Sequence, residues 1–357
     1  MANNTWAYGF VEYRHQAAEH INTVGVDRIW TAIQESAAEH TRFINELMSA
    51  MVVRTTDHQR RYMLPGSHTL QPLDDKGNPI PVRPSGYYDI AFPIQGAGTA
   101  WGDDRVSRAK MTVDEANRNT VAAQQADADW MRRHIMAALF NDSEWTYTDP
   151  RWGALTVKPL ANGDAVTYVR KGGVTATDTH YLAQAAAISN AANPFETIYD
   201  ELMEHPSNGD GDVVVYVATS LKASIKSLTA FVEVDDADVQ KGANSDSLVA
   251  PIRPGFGDTV LGKVDRCWIV EWKALPADYM FAHAVDGGPV LTMREHAEGE
   301  LQGFYPERFD ADGNTMGTRM LRMCGFGVHN RVGALCYYVG GAAWVDPTEF
   351  ATLPLAV

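Results

Sequence analysis

The chain has 357 residues, 45% of them hydrophobic and 21% charged, with a formal net charge of −15 from 45 Asp and Glu against 30 Lys and Arg. Such a length and composition support one large or two modest self-folding cores and exclude a disordered chain, while the acidic balance disfavours gripping a polyanion. Three cysteines, Cys267, Cys324 and Cys336, lack paired or ligand spacing and read as free buried thiols of a reducing compartment. No basic segment leads into an apolar run at Met1 to Phe10, and no stretch reaches the eighteen or so apolar residues of a membrane span, so no membrane partner is expected.

Asn3 to Val24 is mixed in polarity, with Trp6, Tyr8, Phe10 and Tyr13 scattered through it, and reads as an arm that packs on something. From Val26 to Met51, Ile29, Ile33, Ala37, Ile44, Leu47, Met48 and Met51 recur at helical spacing among charged residues, which predicts an amphipathic helix needing a partner surface. Between Arg54 and Asp104, Pro65, Pro72, Pro79, Pro81, Pro84 and Pro93 forbid helix, and Asp74 to Pro79 supplies turn chemistry. Two extended limbs with a tip near Gly77 follow, the returning one along Tyr87 to Ile94. A two-stranded ribbon of this kind is marginal in water, so it projects and expects a neighbour.

Thr112 and Glu115 make a capping box, and Val113 to Phe140 has neither proline nor glycine. A spine helix about 40 Å long is predicted there. Strands are expected at Ala154 to Val157 and Ala165 to Arg170, an alanine-rich helix at Thr179 to Ala192 and another helix at Pro194 to Glu204. After the break at Asn208 to Gly211, Val213 to Val217 reads as a buried strand, followed by a helix at Leu221 to Leu228 capped by Thr219 or Ser220. Val234 to Gly257 reads as an exposed acidic loop, with strands at Val260 to Trp272, Tyr279 to Ala284 and, broken near Gly325 to Asn330, Thr318 to Val339.

Motifs that could carry chemistry give way to plainer readings. Gly257 to Lys263 matches most of a phosphate-binding loop, but Val264 has no hydroxyl for Mg²⁺ and a strand follows where a helix is required. Asp310, Asp312 and Asn314 resemble the start of a calcium loop, yet Thr315 replaces the turn glycine and Leu321 the bidentate glutamate. Asp210 and Asp212 flank Gly211 with no further oxygen ligands. Gly96-Ala97-Gly98 is followed by Trp101 where a dinucleotide fingerprint needs glycine. The eleven histidines, including His15 with His20 and His283 with His296, lack ligand spacing. No catalytic, cofactor-binding or metal-binding residue is assigned.

The order of elements resembles the major capsid protein of tailed bacteriophages, an α+β fold also used by encapsulins. The best-matching pieces are Tyr88 to Ile94, Thr112 to Glu115, Leu261 to Val264 through Leu275 to Tyr279, and Gly325 to Arg331. The resemblance implies an arm and helix over residues 1–52, an extended β-hairpin loop over 53–105 and a peripheral domain with the spine helix over 106–175. It further implies an axial domain over 176–292, peripheral return strands over 293–332, and a final axial strand and tail over 333–357. The implied role is structural and not enzymatic: pentamers and hexamers of the chain tile an icosahedral virion head assembled in the bacterial cytoplasm. Double-stranded DNA lies near it without specific contact, and a portal and decoration protein are further implied partners. The absence of a long charged helical leader points to a separate scaffolding protein. Some relatives weld subunits through a loop lysine and an asparagine, for which Lys76 and Asn330 are the candidates, although the motif match is poor. The rivals are an encapsulin shell protein and an α+β hydrolase using carboxylates such as Asp210 or Asp312.

Overall fold

The computed structural model describes residues 5–6, 9–10, 19–49, 51–64, 72–79, 86–102, 105–163, 166–233, 259–309 and 317–349. Short strands β1 (Thr5–Trp6) and β2 (Gly9–Phe10) pair with each other, and a single turn, α1 (Ile21–Val24), leads into α2 (Val26–Met48). The helix stops three residues before the predicted end. Met51 is buried, and the β-branched Val52 and Val53 instead enter β3 (Val52–Thr55), which pairs in parallel with Leu291 to Arg294. Strands β4 (Gln59–Leu64) and β5 (Gly86–Ala91) form a two-stranded ribbon, followed by β6 (Gln95–Trp101) and the short helix α3 (Arg105–Lys110). Of the segment 53–105, β6 belongs to a larger sheet and not to the ribbon.

The spine helix α4 (Val113–Phe140) has the predicted bounds, and the Thr112 hydroxyl accepts a hydrogen bond from the Glu115 amide at 3.2 Å. Hairpins β7 (Trp145–Asp149) with β8 (Gly153–Val157) and β9 (Thr167–Val169) with β10 (Thr175–Thr177) follow. The predicted helix at 179–192 is absent. Its first part is β11 (Tyr181–Gln184), which pairs in parallel with Cys336 to Val339; sheet pairing overrides the alanine preference for helix. Helix α5 (Pro194–Met203) has Asn193 as its N-cap, accepting from the Phe195 amide, and strand β12 (Val213–Val217) is buried throughout.

The helix expected at 221–228 shortens to a 3₁₀ turn at Thr219–Leu221 and α6 (Lys222–Lys226). Neither proposed cap serves it, because the Thr219 hydroxyl donates to Glu271 and the Ser220 hydroxyl accepts from the Asp278 amide. Strands β13 (Phe231–Glu233), β14 (Thr259–Val264), β15 (Cys267–Glu271), β16 (Tyr279–Ala284), β17 (Leu291–Glu295), β18 (Phe304–Phe309), β19 (Gly317–Val328) and β20 (Ala334–Val339) complete the chain. The acidic loop expected at 234–257 lies outside the described residues. Strands β10 and β17 run across the segment boundaries expected after 175 and 292.

Two sheets organise the molecule. The seven-stranded one has the order β11-β20-β16-β12-β15-β14-β13. Its alternate residues face opposite layers. Val214, Tyr216, Trp268, Val270 and Phe281 join the C-terminal half of α4, while Val213, Val215, Ile269 and Met280 pack with Phe195, Ile198 and Leu202 of α5. In the second sheet, β17 and β18 lie end to end along one side of β19, and β6 lies along the other. Just before β6 the chain lies so close to β19 that a Cβ at Gly325 would lie 1.7 Å from the Pro93 carbonyl oxygen, and one at Gly327 would strike the Phe92 ring at 2.6 Å. A third cluster, with Ile29, Ile33 and Ala37 of α2, Ala116 and Ala123 of α4, Phe304 and Met320, covers the apolar stripe that α2 presented. Among the described residues no helix is long and apolar enough to cross a membrane.

Candidate assembly surface

The ribbon is built by register. Tyr62 lies opposite Tyr88 and Met63 opposite Tyr87, so alternate residues share a face. On one face Tyr88 and Ile90 pack with Phe92, and the Lys158 ammonium sits 4.4 Å from the Tyr88 ring centre. Met63 and Tyr87 are both 63% exposed. Arg61 donates two hydrogen bonds to Asp89, at 2.7 and 2.8 Å, and its guanidinium lies 5.6 Å from the Tyr87 ring, which stiffens the exposed side.

Residues 72–79 form a separately braced turn. The Asp74 carboxylate accepts from the amides of Lys76 and Asn78, and Gly77 takes φ +80°, a backbone state that only glycine adopts readily. Beside it Leu73 is 61% exposed. Lys76 sits on this exposed turn. Asn330 sits in the body, where its amide donates to the Gly287 carbonyl and its oxygen accepts from the Gly333 amide. Both of its polar groups therefore hold a turn, and the prolines at 65, 81 and 84 and most of the N-terminal arm lie outside the described residues.

The chemical motifs resolve into structural parts. Thr259 to Val264 is strand β14, and the Lys263 ammonium, which a phosphate loop would aim at a nucleotide, instead bonds Asp212 at 2.9 Å over the Trp268 ring. Asp212 also accepts from the Trp268 indole; burial raises its pKa, but these donors bring it below the usual carboxylate range. Asp210 is paired with Lys171 at 2.5 Å. Gly96 and Gly98 lie on β6, where a Cβ at Gly98 would lie 2.9 Å from the Met320 carbonyl oxygen. Asp310, Asp312 and Asn314 lie outside the described residues, as does His15. His20 contacts the Lys110 carbonyl, His283 is buried and pushed down to about 4, and His296 accepts from the Glu298 amide.

Two polar clusters escaped the sequence. Asp127 of α4, Arg322 of β19 and His40 of α2 form a buried triad. Around the end of α5, atoms of Asp178, Glu204 and His205 lie within 4.8 Å of one another, a disposition that could hold a metal ion. Arg170 already supplies the cation. Its guanidinium is 3.3 Å from Asp178 and 3.0 Å from Glu204, and the 2.7 Å contact between His205 and Asp178 is a hydrogen bond. The only sequence signal for this cluster was the spacing Glu201, Glu204, His205 at a helix end. Nothing marked Asp178 or Arg170 as their partners.

No family profile and no curated protein matches the chain. Among solved structures it is similar to a chain of Mycobacterium phage Patience, with 21% identity over 92% of both chains and a TM-score of 0.65. Looser likenesses are to the mature capsid of bacteriophage PhiM1, 14% identical over 81% of this chain and 85% of that one at a TM-score of 0.45, and to the capsid of Ralstonia phage GP4, 12% identical over 85% and 92% at 0.45. With its spine helix, two-stranded ribbon and two sheets, the chain shares an α+β fold with the chain of Mycobacterium phage Patience over nine-tenths of its length.

Proposed function

We propose that the chain is a structural subunit that assembles with copies of itself, as pentamers and hexamers, into an icosahedral virion shell around double-stranded DNA. The observation that carries this reading is the ribbon: only two strands wide, it packs one face on the body through Tyr88 and Ile90 and leaves Met63 and Tyr87 on the other face to solvent. A neighbouring copy supplies the missing surface, and heterologous contacts that close on themselves make rings and then a shell. Residues 176–292 with the last strand serve as the axial, ring-forming part; the spine helix and the β19 sheet serve as the periphery. The net charge of −15 suits an enclosure that leaves packaged DNA free. A scaffolding protein, a portal and a decoration protein complete the set of partners.

Electron microscopy of the purified full chain tests this. Closed particles or rings of five and six are expected, and a persistent monomer under all assembly conditions, with a scaffolding partner supplied, overturns it.

A further inference from the structure

The hairpin of β9 and β10 joins the end of α5 through His205. The ring is almost wholly buried, its side chain 3% exposed, and both of its nitrogens face acceptors: Nδ1 lies 3.2 Å from the Val169 carbonyl oxygen and Nε2 2.7 Å from Asp178 Oδ2. A neutral imidazole carries one N–H and could satisfy only one of them; the doubly protonated ring satisfies both. Nothing else in the geometry can donate at those two points, since a carbonyl has no proton and the Asp178 carboxylate is held ionised.

The surroundings favour that added proton. Tyr168 lies edge-on to both His205 and His180. From the hairpin come Arg170, bridging Asp178 and Glu204, and Lys171, whose amide donates to the Glu204 carbonyl at 2.7 Å and whose ammonium pairs with Asp210. From α5 come Glu201 and Glu204, carboxylates at a helix C-terminus, where the backbone carbonyls disfavour negative charge and favour a cation such as His205. From the start of β11 comes His180, which burial and then Arg331 keep neutral, with a pKa down to about 3.

We infer that the hairpin 167–177 is held by a proton-dependent latch, in which a doubly protonated His205 clamps Val169 and Asp178 to the end of α5 and loss of that proton lets the hairpin go. This goes beyond the shell reading and does not depend on it.

The direction follows from linkage. Burial lowers the His205 pKa, but the Asp178 hydrogen bond, the Val169 carbonyl and the charges of Asp178 and Glu204 raise it above the ordinary imidazole value. Its contribution is therefore complete below an unfolded pKa of about 6.5 and lost as pH rises through the raised value. Glu201, raised to about 7 by burial and then by the Asp178 and Glu204 charges, works the same way: protonated it donates to Asp178, and ionised it adds a third negative charge to the cluster. Asp178 stays ionised except in strong acid, because His205 outweighs the burial that would raise it. The latch is closed in mildly acidic solution, loosens as Glu201 ionises around pH 7, and opens as pH rises through the raised His205 value.

Hydrogen exchange of the purified full chain, read by mass spectrometry from about pH 6 to about pH 9 and corrected for intrinsic rates, tests it. In the wild type, protection of residues 166–177 is expected to fall by up to about tenfold per pH unit above the transition, while β12 keeps its protection. Asp178→Asn keeps an acceptor but removes the charge, so the transition is expected at lower pH. His205→Gln is expected to remove the His205 part of the pH dependence and to leave only the shallower part that Glu201 contributes around pH 7. A flat wild-type profile, loss of β12 protection in parallel, an unmoved transition in Asp178→Asn, or an unchanged slope in His205→Gln would each overturn the latch. Should His205→Gln not fold, the wild-type and Asp178→Asn series decide the matter.

Discussion

Arg322 donates from Nε and a terminal nitrogen to the two carboxylate oxygens of Asp127, at 2.7 and 2.5 Å, with both side chains 1% exposed. The pair joins the middle of the spine helix to β19, and His40 of α2 adds a contact to the same carboxylate at 2.9 Å. Three elements far apart in sequence are thus fixed at one buried point. Burial raises the Asp127 pKa, but Arg322 and His40 bring it below the usual value. Removing one partner leaves the other charge buried and alone, so Arg322→Ala or Asp127→Ala is expected to cost about 3 to 5 kcal/mol in chemical denaturation. Because the folded pKa is depressed, this stabilisation is present above about pH 4 and fades as pH falls further, which an acid unfolding series would show. A loss below about 1 kcal/mol in either variant would contradict the account.

The spine helix begins at Thr112, whose hydroxyl accepts from the Glu115 amide. Thr112→Ala is expected to lower stability by about 1 kcal/mol, and Thr112→Ser to retain most of it. Equilibrium denaturation of the two variants side by side separates the cap from the loss of a methyl group.

Gly325→Ala places a Cβ 1.7 Å from the carbonyl oxygen of Pro93, a backbone atom that cannot swing aside. The chain segment between β5 and β6 would have to part from β19. Strong destabilisation is expected, seen as loss of soluble full-length protein or a fall in Tm well beyond that of Thr112→Ala.

Met63→Ser and Tyr87→Ser alter a cross-strand pair that is mostly solvent-exposed. Little change in the thermal unfolding of the isolated chain is expected, against a clear loss of particles by light scattering and electron microscopy. Equal assembly by the double variant would remove these residues from the assembly surface.

Cys267, Cys324 and Cys336 are buried, and burial pushes the first two thiols up to about 12 and the third well above its ordinary value. Thiolate is the reactive form, so the native chain is expected to resist thiol reagents at about pH 8 and to yield all three sites once denatured.

Local signals were legible wherever neighbours in sequence decide the outcome. The capping box and the breaker-free run located α4 to the residue, Pro194 located the start of α5, and the unbroken Val213 to Val217 marked a strand buried on both faces. The same reasoning failed where a distant partner decides. Residues 181–184 have the composition of a helix and become an edge strand because β20 offers an open ladder; Thr219 and Ser220 have the chemistry of caps and are claimed by Glu271 and Asp278. Strands β3, β17 and β18 gave little sign of themselves, since their pairing partners lie in remote segments.

The amino-acid sequence by itself determined the spine helix, the proline-interrupted ribbon and the acidic surface, because capping, backbone restriction and net charge act within a few residues or need no geometry at all. Only the tertiary structure decided that Asp127 meets Arg322 and that His205 lies between Val169 and Asp178. Hydrogen bonds and charge pairs of that kind depend on distances of about 3 Å between segments up to about two hundred residues apart, and no local pattern encodes such an approach.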